Sequence, residues 1–428
     1  MPKKRYGWEV GQAPPIIEPH SLAKHRILGE YVRRYIQVLT AIPGTEVFRL
    51  TLVDGFAGGG EYTEARSKIL APGSPLILLD AIRAAEAAVN ASRTKPIRVD
   101  ARFVFVDQDP KVLAYLGEVL RKRGDAPRED GIVRLLQGTF EERLDAVIQQ
   151  VTTHSRAHRV IFVLDQYGYT DVPLSLIRRI FDALPNAEVF LTVAVGWIVA
   201  YLPNAQAAAA KLGISKEVLA RIARDGDEAL DLEDPSRRPD LLTVQRILHY
   251  VFTTDVGSRF YTPFFIVSRK SNRPYWLLHM ANNQRANDVV KVLHWEIENH
   301  FQHFGGAGLT MLGYDPQADP AVTGQLPFGF DDEAKRRTLV SLAAELPQRI
   351  ASHYREGVAF ETLFRELCNE TPATREQLAN AVSDLCVSGE LEKLGGEGER
   401  RAPTTQPHKD DVIRRGKQVV FNFPARKK

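Results

Sequence analysis

Thr51-Leu52-Val53-Asp54-Gly55-Phe56-Ala57-Gly58-Gly59-Gly60 is an apolar run that ends in an acid and then opens into glycines. The run from Phe48 to Val53 reads as a buried strand feeding directly into a glycine-rich turn. Gly58, Gly59 and Gly60 have no Cβ, so a ligand can come close to their backbone. In an open α/β sheet, the crevice beyond the carboxyl end of a central strand is where nucleotides bind. Asp54 opposes a phosphate there, because a carboxylate repels a pyrophosphate but can hold an ammonium or a hydroxyl.

Two nucleotide loops are excluded by spacing. A dinucleotide fingerprint counted from Gly58 and Gly60 requires glycine at position 63, where Thr63 stands. A P-loop closes on Gly-Lys-Ser/Thr, and Glu61-Tyr62 occupies that place. A plain structural turn stays open as the alternative to a ligand loop.

Outward from this loop, helices and strands alternate. The apolar positions from Ser21 to Ala41 follow a helical period and stop before Pro43-Gly44. Gly73-Ser74-Pro75 resembles a cap with proline at the first helical position, opening a helix from Leu76 to Val89. Strands are expected at Ala101–Val106, Ile132–Leu136, Val160–Leu164 and Glu188–Val195. Helices to about Arg123, from Glu141 to Val151 and from Leu174 to Leu184 separate them. This alternation predicts a doubly wound, mostly parallel sheet of Rossmann-like type, with helices on both faces. Residues 197–250 read as a helical insertion. A hairpin follows, Arg259–Arg269 and Tyr275–Ala281, and then a helix from Ala286 to Phe301.

The expected division is an N-terminal extension and helix over 1–45, an α/β domain over 46–304, a glycine- and proline-rich linker over 305–331, and a last domain over 332–428. That last domain shows amphipathic helices at about 332–352, 358–368 and 374–388, the third opened by a Thr374/Gln377 capping box. Strands at Glu390–Leu394 and Gln418–Phe423 would flank the loop Gly395–His408, giving a winged helix.

With 428 residues, 44% hydrophobic and 25% charged, the chain has the composition of a globular protein with two or three domains. Cys368 and Cys386 are too few for a disulfide framework or a zinc ribbon, which together with the lack of a signal peptide or spanning run makes the cytoplasm the expected compartment. A net charge of +3 argues nothing by itself, but Arg400 to Lys428 forms a basic tail with a pull on phosphates. A solvated surface explains that tail equally well. The histidines show no metal-ligand spacing, so no metal is expected.

The chemistry gathers at strand ends. Asp54, Asp107, Thr139 and Asp165 each follow a parallel strand and point into one crevice. Asp107 suits the ribose of a nucleotide ligand, since one carboxylate accepts from both hydroxyls. Asp109 competes with it, though a residue just before Pro110 also serves as a helix cap.

These motifs, taken in order, resemble those of the three-Cys-motif partner protein family. They are Val53-Asp54-Gly55-Phe56-Ala57-Gly58-Gly59-Gly60, Gly73-Ser74-Pro75-Leu76, Phe105-Val106-Asp107-Gln108-Asp109-Pro110 and Leu164-Asp165-Gln166-Tyr167-Gly168. The leading helix with Lys24 and Tyr31 and the late hairpin at Pro274-Tyr275-Trp276 are similar too, so the match covers about residues 20–303. The first stretch also resembles motif I of class I S-adenosylmethionine (SAM) methyltransferases, with Phe56 where the usual first glycine falls.

The resemblance implies a methyltransferase-like fold, SAM as cofactor and a partner protein bearing a three-cysteine motif. It implies cofactor contacts along Asp54, Gly55, Phe56, Ala57, Gly58 and Gly60, with Asp107 and Thr139 completing the site. Asp165 and Tyr167 would border the methyl acceptor, in the place of the Asp/Asn-Pro-Pro-aromatic motif of amino-methyltransferases, with Gln166 and Tyr167 where the prolines would stand. The expected function is methyl transfer to nucleic acid or a partner protein, with DNA or RNA reached through the winged helix and basic tail. The alternative is a methyltransferase-like module that binds such a partner without turnover.

Overall fold

The computed structural model describes residues 6–166 (without 42–43, 45 and 129–130), 171–193, 210, 214, 217, 250–302 (without 253, 268–273 and 298–300) and 332–416 (without 397). The expected insertion at 197–250 falls almost entirely outside these residues; the expected linker, the strand at 418–423 and Tyr167 do so completely. The chain divides into two units, Met1–Phe301 and Gln302–Lys428.

The first unit is built on one sheet. In chain order its elements begin with α1 (Pro19–Leu39), β1 (Val47–Asp54), a ribbon of β2 (Glu61–Thr63) and β3 (Leu70–Pro72), and α2 (Ser74–Asn90). They continue with β4 (Arg98–Asp107), α3 (Pro110–Lys122), β5 (Val133–Gln137), α4 (Phe140–His154) and β6 (Val160–Leu164). The last are α5 (Leu174–Ala183), β7 (Ala187–Val193), β8 (Phe260–Val267), β9 (Pro274–Ala281), α6 (Gln284–Ile297) and β10 (Phe301–Gln302). The ribbon lies where the sequence reads as plain loop.

The sheet order is β10-β8-β9-β7-β6-β1-β4-β5. From β5 to β7 all pairings are parallel, and β9 then runs antiparallel between β7 and β8. A parallel sheet finished by a hairpin whose second strand slots inside the first is the sheet of Rossmann-like methyltransferases, as expected. Because parallel crossovers are right-handed, β1–α2–β4 and β4–α3–β5 place α2 and α3 on one face, while the reversed path β5–α4–β6–α5–β7 places α4 and α5 on the other. The path reverses between β1 and β6, which puts the switch point directly beyond Asp54 and Leu164.

Burial follows this layering. β1 is buried from Leu50 to Asp54, and β6 is buried throughout, as central strands covered on both faces require. Helix α1 packs on α2 and α6. Its Tyr31 hydroxyl donates to Glu188 on β7, and His279 on β9 lies 3.2 Å from the same carboxylate. That polar knot is buried, so its mutual hydrogen bonds are what make it tolerable.

The second unit contains α7 (Asp332–His353), β11 (Val358–Ala359), α8 (Phe360–Leu367), α9 (Arg375–Val387), β12 (Leu391–Leu394) and β13 (Val412–Arg415). Thr374 and Gln377 form the expected capping box on α9. The wing pairs β12 with β13 over Leu391–Leu394 and Val412–Arg415, and β11 joins on the other edge of β13. The strand that β12 pairs with thus begins at Val412, six residues before the expected Gln418. Both cysteines are free and buried.

Candidate functional site

The glycine turn is hydrogen-bonded to both strands that flank β1. Gly55 N donates to Val163 O at 2.9 Å on β6, and Ala57 N donates to Val106 O at 3.0 Å on β4. Gly58 and Gly60 adopt φ of +60° and +80°, which side chains rarely tolerate. The turn therefore stands rigidly across the switch point. A Cβ at Gly60 would lie 2.7 Å from Leu116, and one at Gly55 would lie 2.7 Å from Leu164, so these two glycines also serve internal packing.

Asp107 is bound into this turn: its Oδ2 accepts from Gly58 N at 3.1 Å and its Oδ1 from Asp109 N at 2.9 Å. Asp109 in turn caps α3, accepting from Lys111 N at 2.9 Å. Of the two competing acids, then, Asp109 is the cap and Asp107 faces the glycine turn. Thr139 caps α4 in a reciprocal box with Glu142, so its hydroxyl already accepts from Glu142 N.

Asp54 is fully buried. Its Oδ1 accepts from Phe56 N at 3.0 Å, while Oδ2 has no protein partner. Burial pushes its carboxyl up to about 7; the Ser74 hydroxyl and Phe56 amide oppose that, and Asp165 and Asp107 add to it.

At the end of β6, both oxygens of Asp165 accept from Lys24 Nζ at 2.5 Å. Burial raises this carboxyl, but Lys24, the Thr192 hydroxyl and His25 together hold it below the usual carboxylate range. Next to Lys24, burial and the Lys24 charge push His25 down to about 4, with Asp165 and the Pro72 carbonyl opposing, so the ring is neutral near pH 7. His25 Nδ1 is buried without a hydrogen-bond partner. Gln166 is buried, and its Oε1 accepts from Asp171 N and Val172 N at 3.0 Å.

Asp54, Asp107 and Asp165 are thus gathered at one edge of the sheet, all within electrostatic reach of Tyr62 on the ribbon. Helix α1 reaches the same edge with Lys24 and His25. His25, Thr192 and the role of Tyr62 escape sequence reasoning: a histidine on an amphipathic helix looks like any other, and only the sheet order brings β7 beside β6. Among the described residues, no group of three or more His, Cys, Asp or Glu is placed to hold a metal ion. No helix among them is long and apolar enough to cross a membrane.

In the second unit, the outward positions of α9 include Glu376 and Asp384. The wing loop folds onto this helix: Ser383 Oγ donates to Thr405 O at 3.1 Å, and Gln406 Nε2 to Asn380 Oδ1 at 2.6 Å. Arg400 and Arg414 both pair with buried Glu392, at 3.1 and 2.9 Å, and Arg401 pairs with Asp411 at 3.2 Å.

Residues 313–397 match the family model described as a GMT-like wHTH domain, in agreement with the winged helix seen over 332–416. No curated protein matches the chain in sequence. Among solved structures, an rRNA methylase from Streptococcus thermophilus is similar at 12% identity and TM-score 0.30, over 61% of this chain and 95% of that one. The bifunctional kinase-methyltransferase WbdD is similar at 9% identity and TM-score 0.30, over 61% of this chain and 40% of that one. The SAH-bound methyltransferase PaMTH1 from Podospora anserina is similar at 10% identity and TM-score 0.27, over 62% of this chain and 88% of that one. Likenesses this distant carry no chemistry to the site.

Proposed function

We propose that the chain is a SAM-dependent methyltransferase. The observation that carries this reading is the sheet order with its switch point. A glycine turn follows β1, the acid of the neighbouring β4 is hydrogen-bonded into that turn, and a second crevice acid ends β6 on the other side. Gly58 and Gly60 would shape the turn beside the cofactor rather than admit it, since Trp8 and Leu116 take the space a Cβ would fill there. Asp54 would stand by the cofactor's amino-acid end, and Asp107 would take the ribose hydroxyls. Asp165, with Tyr167, would border the acceptor. Methyl transfer is an in-line displacement, for which positioning supplies most of the rate. The acceptor would be nucleic acid or a partner protein, a three-cysteine-motif protein among them, reached by the winged helix and basic tail in the cytoplasm.

Calorimetry with S-adenosylhomocysteine (SAH) tests the cofactor site. Micromolar binding is expected, weakened about a hundredfold in Asp107→Ala, since a charged acceptor to two hydroxyls is lost. No heat at millimolar SAH, or an unchanged affinity in the variant, would refute the reading.

A second reading, binding without turnover, has one specific observation in its favour. Both oxygens of Asp165 are already engaged by Lys24, so the carboxylate that would receive an acceptor amine is occupied. Incubation with labelled SAM and mixed DNA, RNA and protein separates the two. Label on any acceptor, lost in Asp165→Ala, excludes the binding-only view.

A further inference from the structure

The segment before α1 is strapped to the ribbon. Thr63 N donates to Pro15 O at 2.9 Å, Ile17 N to Thr63 O at 3.0 Å, and Thr63 Oγ1 to Pro14 O at 3.1 Å. This path brings Trp8 onto the glycine turn, where it is 6% exposed and its indole N–H donates to Glu61 O at 2.8 Å. A Cβ at Gly59 would stand 2.2 Å from Trp8 Cδ1, 2.3 Å from Cγ and 2.6 Å from Nε1. Such similar distances to three ring atoms mean that the five-membered ring lies face-on to Gly59. Glycine is required at 59 for the indole.

Trp8, Tyr6 and Tyr62 pack as one cluster, with ring centroids 5.3 to 5.8 Å apart. Tyr62 links that cluster to the crevice: the three acids lie within its electrostatic reach, and the His25 ring is 6.2 Å from its own. Lys24, the cation beside these acids, is committed to Asp165. Two buried polar atoms here, Asp54 Oδ2 and His25 Nδ1, lack protein partners, and such atoms normally find one in a ligand or water. The surroundings are anionic and aromatic together, a combination that favours a weakly hydrated cation.

We infer that Trp8 and Tyr62, supported by Tyr6, form an aromatic wall that makes this site select the cationic methylsulfonium of the cofactor over its neutral thioether product. The inference rests on the cofactor reading above. In the transfer, the acceptor's lone pair bonds the methyl carbon and the C–S pair returns to sulfur. The positive charge leaves sulfur with the methyl group, the acceptor sheds its proton to solvent, and the attraction of the rings ends with that charge. Product release is then favoured by the same wall that held the substrate.

Calorimetry on the full chain with SAM, SAH and sinefungin, whose amine replaces the sulfonium with another cation, tests this. The wild type should bind SAM and sinefungin about tenfold more tightly than SAH. Trp8→Leu and Tyr62→Leu should bring that ratio to about one, while Trp8→Phe should keep most of it. Equal binding of all three ligands by the wild type overturns the wall and leaves the cofactor site standing, as does a ratio that survives both leucine variants. No binding of any ligand overturns both. If a leucine variant fails to fold, the same comparison on Trp8→Met or Tyr62→Met takes its place.

Discussion

The crevice and the winged helix handle charge in opposite ways. At the crevice, three carboxylates crowd one sheet edge with Lys24 committed to one of them, and burial drives Asp54 up to about 7. In the winged helix, Glu392 receives two arginines, Asp411 a third, and Arg375 stands 3.6 Å from Glu361. The first arrangement has a cost in isolation that a cation would relieve; the second is settled within itself. A recognition helix for DNA carries exposed, uncommitted cations, and α9 offers Glu376 and Asp384 with the wing loop laid against it.

The largest test of that contrast is stability against pH. Asp54 moves from 3.8 unfolded to about 7 folded, so between those values the folded chain keeps a proton that the unfolded chain has released. Asp54 therefore removes on the order of 4 kcal/mol of stability as pH rises from about 4 to about 7, while His25, held down to about 4, returns on the order of 3 kcal/mol between about 4 and 6.5. Asp165 also works in the other sense, but its stability is lost as pH falls below its unfolded value through its lowered folded one, so its effect lies below this range. Urea unfolding across this range should show a nearly level profile in the wild type and stability rising with pH in Asp54→Asn, where His25 acts unopposed. Identical pH profiles for wild type and Asp54→Asn would put the crevice on the same footing as the winged helix.

Next in size is Lys24→Met, which leaves Asp165 without its cation. A loss of about 2 kcal/mol is expected, largely recovered by adding Asp165→Asn, because the penalty is the unpaired charge. Thermal unfolding of the single and double variants measures it, and additive losses would contradict the pairing.

The smallest effect belongs to the winged helix. Glu392→Gln should cost about 1 kcal/mol, since Arg400 and Arg414 can turn to water. It should also strengthen weak binding of a random duplex at low salt, read by fluorescence polarisation. Wild-type affinity equal to that of the variant would mean that these arginines are not held back by Glu392.

Much of the architecture was legible because it is written in periods. Val160–Leu164 emerges with the bounds its apolar run suggests, and the Thr374/Gln377 box caps the helix it was expected to cap. Asp54, Asp107 and Asp165 come together for the same reason, since every parallel strand delivers its last residue to one edge. What escaped depends on distant partners. No local pattern says that an isolated Trp8 lies on Gly59, or that Lys24 meets Asp165 across 141 positions. The ribbon Glu61–Thr63 with Leu70–Pro72 is too short to show alternation, and the polar Val412–Arg415 strand is outshone by the more apolar segment after it.

Helix α1 is also a ruler. Lys24 and Tyr31 are seven residues apart, which is about 10 Å of rise and nearly two whole turns, so both side chains leave the same side of the rod. One meets Asp165 just beyond β6; the other meets Glu188, which pairs with Ile161 four chain positions before Asp165. The extended gauge, about 13 Å, exceeds the helical one by about 3 Å, which the long Lys24 side chain spans. Inserting a single residue between 24 and 31 would turn one anchor by about 100° away from its mark, so the length of this helix segment is itself part of the site.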